Sequence, residues 1–309
     1  MPALHLHEYT AGGMTVRGIV GALDLSRRAA DLNGRAVYPH EGIYPDQASD
    51  LAERMLEMRL NPAPILLVHR GPQDVRDLVG SVLATPPEWR FTDRAQQRHR
   101  VWPLRGSDLE TVRQALTDSR PLIADGHHRY AAYLRLQQAH PGTAWDFGLA
   151  MLIDQTDTPL FLGAIHRLLS GVTFAALGNA VAAGPHRLET CSRAAALDAL
   201  GPTALAVTDG RSWATLQLSL APHRSAVEEL HEVVLPALEP ADPTVAYHHS
   251  VEDTLRRLRR GRDTAILMPA IDFDQVAHVV AHDRLLPEKA TSFQPKPSSG
   301  VLMRSLDDG

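Results

Sequence analysis

The sequence predicts an α/β (or α+β) fold, a mixed sheet with flanking helices. Ile65-Leu66-Leu67-Val68 and Leu122-Ile123-Ala124 are short, continuously apolar runs, the kind that form strands buried on both faces. Leu51, Met55 and Met58 recur at helical spacing between Pro45 and Leu60 and give an apolar stripe. Ala204 to Thr208 and Trp213 to Leu218 read as strands joined across Asp209-Gly210.

The other elements follow in chain order. Leu4 to Tyr9 alternates like a strand and Gly12-Gly13 is a turn, while Leu23 to Leu32 reads as a helix begun by Asp24 or Ser26. Asn61-Pro62 ends the helix before it, because a proline disfavours helix in the preceding residue. Gly71 to Leu78 starts a helical or loop segment. Arg90 to Leu104 resembles a hairpin with a charged turn at Asp93 to Gln97, and Ser107-Asp108-Leu109-Glu110 is a capping-box sequence opening a helix to Thr117. Tyr130 to Gln138 follows the Asp125-Gly126 turn as a helix. Phe147 to Ile153 and Leu160 to Ile165 are expected to pair as an antiparallel hairpin. Further helices are expected at Phe174 to Ala183, Ala194 to Leu200, Ser225 to Val234 (begun by a second capping box), Val251 to Arg260 and Phe273 to His282, with a strand at Thr264 to Met268. The resulting division is an N-terminal segment (1–85), a core (86–170), a second α/β region (171–286) and a C-terminal segment (287–309).

Composition bounds the function. Thirty-one Lys and Arg against 36 Asp and Glu leave a formal charge of −5, which argues against a protein held on nucleic acid by bulk charge. Cys191 is the only cysteine, so neither an intrachain disulfide nor a cysteine-rich metal knot can form. No stretch of about 18 apolar residues occurs, and the first residues lack a signal-peptide pattern, so the expectation is a cytoplasmic protein away from membranes. Neither a nucleophile elbow, nor a P-loop, nor a dinucleotide fingerprint is present.

The strongest chemical motif is Asp125-Gly126-His127-His128-Arg129 between a strand and a helix. A helix N-terminus carries unpaired amides and partial positive charge, and a glycine there lets an anion approach the backbone. His127, His128 and Arg129 add donors, so phosphate is the natural ligand. Asp125 could orient a histidine or hold a divalent metal. The plainer alternative is that the two histidines and the arginine cap the helix and pair with surface carboxylates.

The segment Ala124 to Tyr130 resembles the signature of the family called domain of unknown function 1015, grouped with the ParB and sulfiredoxin superfamily. Other stretches are similar to that family in the right order. They are His40-Glu41 with Asp50, Asn61 and Pro64; Phe91-Thr92-Asp93 with His99 to Trp102; His166-Arg167-Leu168-Leu169; and Pro287-Glu288-Lys289 with Phe293, Pro295-Lys296-Pro297 and Ser299-Gly300-Val301. The resemblance implies a ParB/sulfiredoxin-like core with added strands and helices. It also implies phosphoryl transfer from a nucleotide (ATP or ADP) or pyrophosphate to a small hydroxylated acceptor such as free L-serine, with magnesium a candidate companion ion.

On that reading Glu41 is the base, and His127 and His128 join it in catalysis. Asp125, Gly126, Arg129, His166, Arg167, Lys289 and Lys296 bind phosphate or nucleotide. Glu41 is expected across the same pocket as the histidines. Lys289 and Lys296 are expected on a lid or wall, because Pro287, Pro295 and Pro297 keep that stretch extended. Ile43, Leu51, Ala131 and Ala290 stand where relatives carry hydroxyl, cationic or acidic groups. They favour the alternative, a ParB-like regulator that binds nucleotide or phosphate without turnover. Weaker candidates are metal ligation by His5, His7 and Glu8 or by His248-His249, and the basic run Arg256 to Arg262, best read as a helix end. The partner expected throughout is a small molecule.

Overall fold

The computed structural model describes residues 3–26, 36–238 and 243–307. The chain divides into two compact units, Met1–Phe161 with Phe293–Gly309, and Leu162–Ser292.

The first unit holds strands β1 (Leu4–Ala11) and β2 (Met14–Asp24), helix α1 (Pro45–Met58), β3 (Leu60–Asn61), β4 (Ile65–His69), α2 (Gln73–Leu83), β5 (Trp89–Thr92), β6 (Arg98–Leu104), α3 (Ser107–Ala115), β7 (Leu122–Asp125), α4 (His127–Ala139) and β8 (Phe147–Asp154). Seven of the strands form one sheet in the order β5-β6-β1-β2-β8-β4-β7. Only β4 and β8 run parallel; the other neighbours are antiparallel, so the sheet is mixed. β3 pairs separately with Arg304–Ser305.

Register explains the packing. Trp102, Leu6, Ile19, Leu152, Leu67 and Ile123 are successive cross-strand partners and therefore share one face. Helices α2 and α3 cover one end of that row through Val75 and Val112, and α1 with α4 cover the other through Met55, Tyr133 and Leu136. β2 carries two glycines, which blurs its strand pattern in the sequence. At Gly18 the reason is steric, since a Cβ there would lie 2.7 Å from Met151 Cε and 2.9 Å from the Leu152 carbonyl oxygen.

The second unit is a six-stranded antiparallel sheet, ordered Arg187–Cys191, Trp213–Gln217, Ala204–Thr208, Thr264–Leu267, His166–Ser170, Thr244–His248. Its helices are Phe174–Ala182, Arg193–Asp198, Ala226–Glu229 with a following π-helical turn, Val251–Arg257 and Phe273–Ala281. Among the described residues no helix is long and apolar enough to cross a membrane.

Some local expectations need correction. Ser225 and Glu228 do form a reciprocal capping box, but Ser107 does not. Gly106 takes the N-cap position at φ 56°, which pushes Ser107 inside the helix. Phe147 to Ile153 does not form a hairpin with the next apolar stretch, because β8 lies between β2 and β4. The helix expected from Leu23 begins as strand to Asp24, and its remainder from residue 27 lies outside the described residues.

Several histidines are sealed into this framework. His7 Nε2 lies 3.0 Å from His99 Nδ1, whose other ring nitrogen is 3.2 Å from Asp93 Oδ2. Burial, then the neighbouring His99, pushes His7 down to about 3. Burial and His40 push His127 down to about 3, and burial with Arg167 pushes His166 and His231 down to about 4.

Two outcomes follow. Gly18→Ala is expected to lower unfolding free energy by about 1–3 kcal/mol, as overpacking does, read as a lower urea midpoint at unchanged slope; an unchanged midpoint contradicts the packing argument. A histidine whose folded pKa is depressed leaves the unfolded chain with more bound protons between its two values, so stability falls as pH drops from about 6.5 toward 3. Each such residue contributes a slope of about 1 kcal/mol per pH unit, and His127→Gln should remove one share of it from urea titrations run across that window.

Candidate functional site

β7 ends at Asp125 and α4 starts at His127, with Gly126 as the N-cap at φ 94°. That conformation suits glycine, and a Cβ at Gly126 would sit 2.9 Å from Arg129 Nε. No side chain caps α4, so its first amides keep the donor capacity and positive end of a helix terminus.

Asp125 is the hub of the turn. Arg129 Nη2 donates to Asp125 Oδ2 at 2.5 Å, and the Lys296 ammonium donates to Oδ1. Arg129 Nη1 also donates to the Pro64 carbonyl at 2.6 Å, which fastens the turn to the approach of β4. Burial opposes ionisation of Asp125, but Lys296 and then Arg129 hold its carboxyl below the usual range. Arg129 thus has a positioning task in addition to any ligand contact.

Glu41 reaches this turn through the edge of β7. Tyr38 N donates to the Pro121 carbonyl and Ile123 N donates to the Tyr38 carbonyl, each at 2.9 Å, so the chain lies alongside β7. His40 follows, fully buried, and its amide donates to His127 Nε2 at 3.4 Å with the rings 4.6 Å apart, edge to face. Glu41 Oε1 is 3.6 Å from His40 Nε2, and its charge is one of those acting on His127. His128 Nε2 accepts from the Tyr44 amide at 3.0 Å, and the two rings stack. With those nitrogens accepting, the Nδ1 atoms of both histidines are the donors of the neutral rings.

The C-terminal stretch of the same unit closes over these groups. Phe293 is fully buried against the His40 ring. Tyr9 Oη donates to the Pro295 carbonyl at 2.6 Å, and Gln97 holds Lys296 O and Ser298 N at 3.2 and 3.0 Å. The sequence marks neither Tyr9 nor Gln97 as a site residue. Tyr9 reads only as an alternating strand residue and Gln97 only as part of a charged turn, so neither carries a local signal for a contact some 200 or more residues away.

Glu41, Asp125, Gly126, His127, His128, Arg129 and Lys296 therefore share the first unit. His166, Arg167 and Lys289 belong to the second. There His166 Nδ1 accepts from the Met268 amide at 3.2 Å. Arg167, 1% exposed, donates to His231 Nε2 at 3.1 Å and to the Lys289 carbonyl at 3.0 Å and lies over the Tyr247 ring. Of the weaker candidates, His7 is engaged with His99, Glu8 with Arg17 and Arg100, and His248 with Asp253. Arg256 and Arg257 pair with Asp253, and Arg259 pairs with Asp263, as expected of a helix end. Among the described residues no group of three His, Cys, Asp or Glu is arranged to hold a metal ion.

Comparison with known proteins sets the fold in context. Free serine kinase in complex with AMP superposes with a TM-score of 0.54 at 15% identity, covering 94% of this chain and 92% of that one. A variant of free serine kinase with a glutamate replaced by alanine, in complex with ADP, gives 0.53 at 14% identity over 94% and 93% of the two chains. A conserved hypothetical protein from Pyrococcus furiosus gives 0.51 at 17% identity over 94% and 96%. At these identities the likeness is one of fold. No curated protein matches the sequence. The family described as "Protein of unknown function (DUF1015)" matches residues 1–232 of the 309, well over half of the chain, and the chain belongs to that family.

Proposed function

We propose that this protein transfers a phosphoryl group from a nucleotide or pyrophosphate to a small hydroxylated acceptor such as free L-serine. The observation that carries the reading is the gathering of Lys296, the uncapped N-terminus of α4 and the carboxylate of Glu41 around Asp125 to Arg129. The similarity to solved free serine kinase structures containing AMP or ADP supports it.

The geometry supports the following roles. The α4 amides and the neutral histidine donors would hold the phosphoryl oxygens of the donor, with Lys296 offsetting the charge that develops as the bond to the leaving group breaks. Glu41 would take the proton of the acceptor hydroxyl as its oxygen forms the new bond to phosphorus. The nucleotide, or phosphate from pyrophosphate, leaves with the electron pair of the broken bond. Arg129 holds Asp125 and the turn in place, and through its remaining donors can meet a phosphate as well. Both Asp125 oxygens are engaged by cations, so the turn presents no ready carboxylate pair for a divalent ion. Magnesium would enter with a nucleotide's phosphates.

A second reading has its own support. Leu51 packs into the helix-covered core and Ala290 is buried. Neither offers a polar group to a substrate, which suits a binding protein that does not turn over. His166, Arg167 and Lys289 remain candidate phosphate contacts on the second unit, on sequence resemblance alone.

Phosphorus NMR of the protein with ATP, ADP or pyrophosphate and a panel of hydroxy acids separates these readings. Phosphoryl transfer that Glu41→Gln slows by about 10²–10⁴-fold without loss of binding supports the kinase. Lys296→Ala should weaken nucleotide binding by roughly ten- to a hundredfold, the scale of a charged hydrogen bond. Lys296-dependent binding with no transfer to any acceptor leaves the regulator, and no binding at all removes both.

A further inference from the structure

The helix-covered face of the first sheet is not covered along its whole length. Past Leu6, where α2 and α3 stop packing, the same face continues as two cross-strand rows. One reads Arg90, Arg100, Glu8, Arg17 across β5, β6, β1 and β2; the next reads Thr92, Arg98, Thr10, Thr15. These residues line an open groove of about 640 Å³.

Its floor is organised by one carboxylate. Glu8, only 4% exposed, accepts from Arg17 Nε at 2.9 Å and from Arg100 Nε at 2.7 Å, with Arg100 Nη2 at 2.6 Å. Arg100 is held from its other side by the Trp102 ring, 5.2 Å away, and Arg17 Nη1 reaches Asp157 at 3.2 Å. Arg90 and Arg98 are exposed, and among the described residues neither has an ion-pair partner. Four guanidinium groups thus face two carboxylates, with two of the four fixed in direction and two open, on a chain whose total charge is −5.

We infer that this groove binds a small anion carrying two or more linked phosphate groups, at a site distinct from the turn at Asp125. Successive β1 residues point to opposite faces, so Glu8 lies in the groove while Tyr9 meets Pro295 on the other side. Arginine forks match pairs of phosphate oxygens, and the hydroxyls of Thr10, Thr15 and Thr92 supply further donors. Adjacent guanidiniums repel one another, so an anion that bridges them gains more than a single carboxylate would. A long nucleic acid is disfavoured, because the remainder of an acidic chain would repel it. The inference does not depend on phosphoryl transfer.

The test is calorimetric titration of tripolyphosphate into wild type, Arg90→Gln/Arg98→Gln and Lys296→Ala. Both arginines are exposed, and a thermal melt by circular dichroism checks that the double variant folds. Binding that persists in Lys296→Ala and weakens about tenfold or more in the double arginine variant bears the proposal out. No binding by the wild type overturns it, as does binding that the double variant retains at full strength. Repeating the titration with ADP and with pyrophosphate in the Lys296→Ala background separates the sources: ADP binding at least as tight as pyrophosphate identifies a nucleotide, and weaker binding identifies an inorganic polyphosphate. Failure of the phosphoryl-transfer reading shows instead as loss of transfer or of Lys296-dependent binding, which leaves the arginine result untouched.

Discussion

Asp125 carries a negative charge in a partly buried place, and the two cations that stabilise it come from opposite directions in the sequence. Arg129 comes from one turn into α4, and Lys296 comes from the C-terminal stretch. A carboxylate drawn out of water needs its lone pairs filled, and a partner removed leaves the other charge exposed to the same penalty. The end of β7, the start of α4, the Pro64 approach to β4 and the Lys296 segment are therefore held by one balance of charge. Glycine at 126 is part of the same constraint, because the Arg129 guanidinium occupies the space where a side chain would be.

Sheet register governs what surrounds that hub. Because side chains alternate, His7 and Tyr9 go to one face of β1 and Leu6 and Glu8 to the other. On the first face His7 enters a chain of ring contacts that ends at Asp93, whose hairpin also presents Gln97 to Lys296. On the second, apolar residues take the helices until the row at Glu8, where charged residues take over and helical cover ends. One strand thus supplies the support of one candidate site and the floor of another.

Elements whose cause is local were legible in the sequence. β4 and β7 declared themselves as apolar runs, the Arg90 to Leu104 hairpin by its charged turn, and Ser225 by the glutamate three residues on. The turn at Asp125 was legible for the same reason, since strand, glycine and helix are consecutive. What escaped depends on distant partners. Gly18 of β2 makes sense only beside Met151 and the Leu152 carbonyl, and the neighbours of β8 are β2 and β4, far away in sequence. Ser107 failed as a cap because Gly106 can adopt a positive φ that the capping pattern does not encode. The family resemblance suggests both Lys296 and Asp125 but not their pairing, and Tyr9 and Gln97 carry no sign of their contacts.

The two candidate sites differ in how they would hold an anion. Around the turn, Arg129 and Lys296 face the carboxylates of Asp125 and Glu41, so formal charge nearly cancels. His127 is kept neutral by burial and His40. A phosphate there would be held by oriented dipoles, namely helix amides and neutral ring N–H groups, and by drawing Lys296 away from Asp125. That exchange has a consequence for the fold, because Lys296 is also what ties the C-terminal stretch to Asp125. Ligand charge and the seating of that stretch are then coupled through one ammonium group. In the arginine groove no such exchange is needed, since Arg90 and Arg98 have no ion-pair partner among the described residues to give up. Recognition by exchange at the turn favours a ligand that can be released after its charge changes, as a phosphoryl donor does on reaction, whereas recognition by surplus charge in the groove suits an anion that is simply held.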